Sequence, residues 1–283
     1  MSDATARPPI ALRPRWRATS RAPRTAATLL IALVVLAAVA PLIAPYAVDA
    51  IDLANRRAVP SAVHWFGTDE LGRDLLTRVL YGAQVSLAIG LVSALLSAAI
   101  GSAVGATAGY ARGWIDDVLM RLTDAMLAVP RLPLLMIVSA VLQPSVPLLV
   151  VFVGAAGWME SARVVRAEIM SLAARDFVSA ARAVGATPLR VVVRHLLPGV
   201  LSTASVATTL AIGRGILLES ALSFFGVGVQ PPTASWGNML YQAQTTMTSE
   251  PWLAIFPGAM IFLTVLACNV VGDAIGAASD GTS

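Results

Sequence analysis

The chain has 283 residues, of which 57% are hydrophobic and 13% charged, with a formal net charge of +4 and a mean hydropathy of +0.76. Soluble domains carry roughly a quarter charged residues, so this composition excludes an ordinary soluble domain and points to several apolar runs of membrane-span length. A single cysteine (Cys268) and two histidines (His64, His195) exclude a disulfide or thiol–metal framework and leave metal catalysis or a Ser-His-Asp machine without its parts.

Residues 1–24 read as a disordered basic cytoplasmic arm, with six Arg against Asp3 and four prolines. The positive-inside rule accounts for it without nucleic acid. Thr25 to about Ile43 is the first span. Ala38-Val39-Ala40 looks like a signal-peptide cleavage site, but the run is long and Pro41 follows directly, which favours an uncleaved anchor. Residues 25–84 thus hold this span and an extracytoplasmic loop. Within the loop, Thr68 or Asp69 reads as the cap of an interfacial amphipathic helix. Leu71, Leu75, Leu76, Val79 and Leu80 make its apolar stripe, with Arg73, Asp74 and Arg78 opposite as surface ion pairs. The string HWFGTDELGRDLLTRVLYGAQVSL (64–87) resembles, almost residue for residue, the segment preceding the core of dipeptide, oligopeptide and nickel importer permeases.

Residues 85–275 read as the five-span core. The second span runs from Ser86 to Tyr110. Gly101, Gly105 and Gly109 recur on one face, where small residues let membrane helices approach closely. The partner on that face is either another helix of this chain or a second permease. Arg112 to Arg121 reads as a charged loop. The third span, Leu122 to Leu142, is broken by Pro130 and Pro133 around Arg131. Asp124 and Arg131 are ionisable groups in or beside a span, hence pathway candidates, with structural pairing as the other reading of Asp124. After a turn at Gln143–Pro147, the fourth span runs from Leu148 to about Arg163. Six Arg between 163 and 194 outnumber Glu160, Glu168 and Asp176, which puts this region on the cytoplasmic side.

The stretch 176–198, DFVSAARAVGATPLRVVVRHLLP, reads as two short helices. Phe177, Ala180, Ala181 and Val184 share one face of the first; Gly185 stops it. Thr187 and Pro188 restart the chain as N-cap and first helical residue, and Leu189, Val192, Val193 and Leu196 form the second apolar face. The pattern fits either a docking knob or a basic loop lying on headgroups. Ala180, Ala181, Gly185, Leu197 and Pro198 resemble the "EAA" signature of ATP-binding-cassette importer permeases, with Ser179 where that family usually has Glu. The resemblance implies that 176–195 are coupling helices seated in a cytoplasmic ATPase, with Arg182, Thr187 and Pro188 among the coupling residues.

Leu196 to about Phe225 is the fifth span, too long for one straight crossing. Arg214 and Glu219 within it either line a pathway or hold the bundle together. The stretch 222–240 reads as an ordered outer loop with short helices. It resembles the family's loop between the fifth and sixth spans, which implies that Pro231, Pro232 and Trp236 face a substrate-delivery protein. Pro251-Trp252 opens the last span, to about Ile275, again similar to the family's final helix; 276–283 is a short tail.

Hydropathy and Arg bias give an all-α membrane protein with six transmembrane helices and both termini cytoplasmic. Four blocks in family order identify the chain as a member of the dipeptide/oligopeptide/nickel permeases of ABC importers, resembling the second, C-type subunit. The resemblance implies a type I importer permease fold in the bacterial inner membrane. It implies a heterodimer with a second homologous permease, two cytoplasmic ABC ATPases that carry ATP and Mg, an extracytoplasmic binding protein and surrounding lipid. With no lysine there is no phosphate-binding loop of the usual type, so this chain is expected to bind no cofactor or metal and to have no catalytic residue. The function expected is ATP-driven import of di- or oligopeptides. The alternatives are a nickel or metal-chelate importer of the same family, or an ATP-independent secondary transporter.

Overall fold

A computed structural model describes residues 21–142 and 145–280, with side chains through 278. Most of the basic arm, two residues of the turn at Gln143–Pro147 and the end of the tail lie outside the described residues. Those described form helices joined by turns and loops, with one isolated antiparallel bridge, Thr68 to Asp74. Four helices are long and apolar enough to cross a membrane, or six if each of two bent pairs counts as one span.

The first helix, α1 (Ala22–Ile43), packs against α2 (Leu75–Ala111) and against α11 (Trp252–Asp280) at the end of the chain. Between α1 and α2 the chain folds into a cap with a short 3-10 turn at Leu53–Asn55. Asp74, and neither Thr68 nor Asp69, is the N-cap of α2: its carboxylate accepts from the backbone N–H of Thr77 at 2.8 Å. From there α2 runs unbroken for 37 residues. The expected interfacial helix and second span are therefore one rod, and the division expected at 84/85 falls inside it. Arg73, Asp74 and Arg78 are buried rather than turned to solvent. Alternation marked them as outward because polar residues usually are. Here Asp69 accepts from Arg73 Nε at 2.7 Å and lies 3.5 Å from Arg78 Nε, so one buried carboxylate faces both guanidiniums inside the cap.

The segment expected as a charged loop is the start of α3 (Gly113–Ala128). Arg112, at φ 54°, turns the chain from α2 into it. Helix α4 (Arg131–Leu142) leaves α3 at 79°, the break falling before Pro130 as proline chemistry dictates. The next pair, α5 (Val146–Ala155) and α6 (Trp158–Leu172), bends by 42° and continues nine residues past the expected end of the span at Arg163. Gly101, Gly105 and Gly109 lie along α6: a Cβ at each would strike Ser161, Ala162 or Arg166 backbone and side-chain atoms, so the glycine stripe serves a contact within this chain.

Helix α7 (Asp176–Ala183) and α8 (Pro188–Val191) form the elbow. A π turn (Val192–Leu196) joins α8 to α9 (Leu197–Phe224), and Pro188–Phe224 is one continuous helix of 37 residues. The π turn has a local cause. Pro198 has no N–H to donate to Arg194, and the helix widens just before it, with the Leu197 N–H reaching back to Val192 O. Helix α10 (Trp236–Ala243) follows, started by a reciprocal capping box of Ser235 and Asn238.

Candidate functional site

The elbow is built by local chemistry. Gly185 sits at φ +84°, a left-handed conformation that costs other L-residues about 1–2 kcal/mol. Its N–H donates to Arg182 O at 2.9 Å and that of Ala186 to Ala181 O at 3.0 Å, the paired bonds of a Schellman ending. Thr187 Oγ1 then accepts from Arg190 N at 3.4 Å, with Pro188 in the first helical position. Alanines at 180 and 181 keep this ending slim.

Which face the elbow buries differs from the pattern. Of the residues expected on the two apolar faces, Phe177, Val184, Leu189 and Val193 are exposed, Val184 at 87% and Leu189 at 73%. Leu196 of the second face is fully buried, as are Val178 and Val191, which lie outside both faces. They join Ala106 of α2, Val165, Ile169 and Leu172 of α6, and Val200 of α9 in one cluster. Arg182 adds a contact 5.1 Å above the Tyr110 ring at the end of α2. The elbow is thus clamped to three long helices from inside while its outer side combines apolar groups with Arg175, Arg182, Arg190 and Arg194, all exposed.

A second polar centre lies higher in the bundle. Arg131 opens α4 just after one bend, and Glu160 stands in the first turn of α6 just after the other, where the helix N-terminus favours a carboxylate. Arg131 Nη2 donates to Glu160 Oε1 at 2.8 Å, and Arg214 of α9 pairs with Glu160 Oε2. Glu160 was counted with the cytoplasmic charges of the sequence. Its meeting with residues 29 and 54 positions away has no local signal. The three line a hollow of about 290 Å³ whose other walls include Ser93, Ser97, Gly157 and Leu218.

The other sequence candidates lie elsewhere. Asp124 pairs with Arg163, both more than half exposed, and Asp116 with Arg166 at 2.5 Å through both oxygens, so two Asp–Arg pairs pin α3 to α6. Glu219 is fully buried. It accepts from Ser223 Oγ at 2.8 Å and from Ser86 Oγ at 3.2 Å, and Ser86 Oγ accepts from Trp236 N at 3.2 Å. It is a knot tying α2, α9 and α10. Trp236, expected to face a partner, is fully buried and its indole N–H donates to Val79 O at 3.1 Å. Its size and apolar body take it into the core, while Pro231 and Pro232 remain exposed.

Residues 101–281 match the family described as binding-protein-dependent transport system inner membrane component. The glutathione transport system permease protein GsiD of Escherichia coli O6:K15:H31 (strain 536 / UPEC) is 43% identical over 257 residues, 90% of this chain and 85% of that protein. The protein of the same name from Shigella boydii serotype 4 (strain Sb227) gives the same values. In fold, the chain is similar to an inward-facing structure of the MetNI methionine ABC transporter, with TM-score 0.60 and 19% identity over 72% of this chain and 97% of that one. An all-helical bundle with several membrane-length helices, the family match over most of the core and the likeness to GsiD lead to one assignment: the chain belongs to the family of binding-protein-dependent transport system inner membrane components, as a multi-pass permease of an ABC importer.

Proposed function

We propose that this chain is one of two homologous permeases in an ATP-driven importer of small peptides, with six spans, both termini in the cytoplasm and the elbow as its coupling element. The spans are α1, α2, α3–α4, α5–α6, α8–α9 and α11. An extracytoplasmic protein delivers substrate near the exposed Pro231-Pro232 edge. Two cytoplasmic ATPases bind and hydrolyse ATP with Mg, so this chain performs no chemistry of its own. The likeness to a glutathione permease supports a peptide-type substrate.

The observation that carries the reading is mechanical. The second elbow helix is the beginning of the rod that ends at Phe224, and the first is locked to α2 and α6 through Val178. A force on the outer face of the elbow therefore moves three long helices together. Closure of the ATPase pair around ATP pulls the elbow and opens the bundle outward; hydrolysis returns it. Interfaces are anchored by apolar groups in a polar rim, and the exposed Val184 and Leu189 among four arginines have that composition.

Cysteines introduced at Val184 and Leu189 test this, since the native Cys268 is buried. In membranes they react with a polar maleimide, and co-expression of the ATPase slows both by at least about tenfold, as occlusion of an interface core requires. Equal labelling with and without that partner defeats the coupling role.

A further inference from the structure

Among the described residues, Arg131, Glu160 and Arg214 are the charged groups lining the 290 Å³ hollow, and Glu160 and Arg214 also line a second hollow of about 310 Å³ beside it, walled by Thr203, Val206, Leu210 and others. The Glu160–Arg214 pair is thus the partition between two cavities. Arg214 stands about 25 Å along α9 from its start at the elbow end, at 1.5 Å per residue, which is mid-bundle. Two guanidiniums share one carboxylate there, so the partition carries one positive charge in excess among apolar walls.

An uncompensated charge at that depth is held at a penalty that an opposite charge relieves. A guanidinium binds a carboxylate through two parallel hydrogen bonds, and Glu160 already spans both arginines with one oxygen each. We propose that Arg131, Glu160 and Arg214 form a carboxylate-exchange gate that gives this permease its own preference for anionic peptides. A substrate carboxylate arriving in the 310 Å³ hollow takes Arg214 from Glu160, which stays on Arg131. The partition opens while every charge keeps a partner, and Glu160 reclaims Arg214 when the substrate leaves. Every peptide brings its C-terminal carboxylate, but only one with more carboxylates than ammonium groups also relieves the excess positive charge of the two arginines over Glu160. This inference rests on the importer reading above and adds a charge filter within the membrane chain.

The test uses the complete complex in liposomes with three probes: alanyl-glutamate, its neutral isostere alanyl-glutamine, and alanyl-lysine. Each uptake rate is divided by the occupancy of the delivery protein measured in parallel. Arg214→Gln should lower the alanyl-glutamate to alanyl-glutamine ratio about tenfold, the order of one charge acting at roughly 10 Å in a protein interior. Arg214→Lys keeps the charge without the bidentate fork, and should keep the ratio at a lower absolute uptake of both probes. Glu160→Gln, of nearly unchanged volume, should raise it. A ratio unmoved by Arg214→Gln, or an equal loss of all three probes, overturns the gate and leaves the importer standing. If Arg214→Gln does not assemble, Glu160→Gln decides alone: a raised ratio supports the gate, an unchanged or lowered one overturns it. A wild-type complex that imports none of the three removes the peptide reading and the gate with it.

Discussion

The outer cap and the elbow are made of the same materials, arginines, small helices and left-handed glycines, and use them in opposite directions. In the cap, Arg73 and Arg78 are buried against Asp69, the His64 ring and Asp74 are 2.9 Å apart, and the Phe66 and Phe256 rings stack with centroids 3.8 Å apart. Gly72, at φ +76°, is needed twice: for its backbone angle and because a Cβ would run into the carbonyl of Asp52. In the elbow the arginines are exposed, and Gly185 needs its angle alone, since a Cβ there would meet nothing within 4 Å. The cap holds its buried ion pairs within this chain while exposing Ile51, Leu53, Val59, Val63 and Trp65. The elbow buries its inner side only, and its exposed outer side is where the proposed ATPase partner would dock.

That contrast is sharpest at buried charge. Asp69→Ala would leave two buried guanidiniums without their carboxylate, a loss of about 3–5 kcal/mol. In detergent, thermal unfolding should drop steeply and the protein should accumulate poorly. A near-native melting curve would mean that the cap is looser than its ion pairs imply.

A matched pair of glycine substitutions comes next. Gly72→Val adds steric collision to backbone strain and should cost about 3 kcal/mol or more. Gly185→Val should cost only the strain, about 1–2 kcal/mol. It should insert normally yet reduce uptake to background, because in the proposed coupling role the angle between α7 and the α8–α9 rod transmits the stroke. Normal transport by the Gly185→Val protein would break the lever; equal destabilisation by both would break the comparison itself.

The smallest effect on stability is expected at Leu189→Ser. The side chain is already in solvent, so stability should change by no more than about 0.5 kcal/mol. Recovery of the ATPase with the affinity-purified permease should fall nonetheless. Undiminished recovery at unchanged stability would remove Leu189 from the docking surface.

Much of this was legible in the residues. Apolar runs reveal spans because lipid leaves backbone groups no partner but their own helix, and α1, α9 and α11 begin or end within a few residues of their expected limits. The Gly185 stop and the Thr187-Pro188 start were equally plain, since a helix cap is settled by neighbours four residues away at most. The long unbroken α2 was less so: apolar spacing does not distinguish a surface helix leading into a span from one rod.

What only the tertiary structure decided was direction and company. Phe177, Val184, Leu189 and Val193 of the elbow face outward, while Val178, Val191 and Leu196 fill the space at the ends of α2, α6 and α9. Arg73, Asp74 and Arg78 turned inward because each found an opposite charge or a helix end to serve. Glu160 met Arg131 and Arg214 because two bends, in α3–α4 and α5–α6, delivered helix starts to the same depth. Composition and local capping are properties of a segment and can be read along it. Burial and pairing are properties of the packed bundle, where groups far apart in the chain are brought within 3 Å.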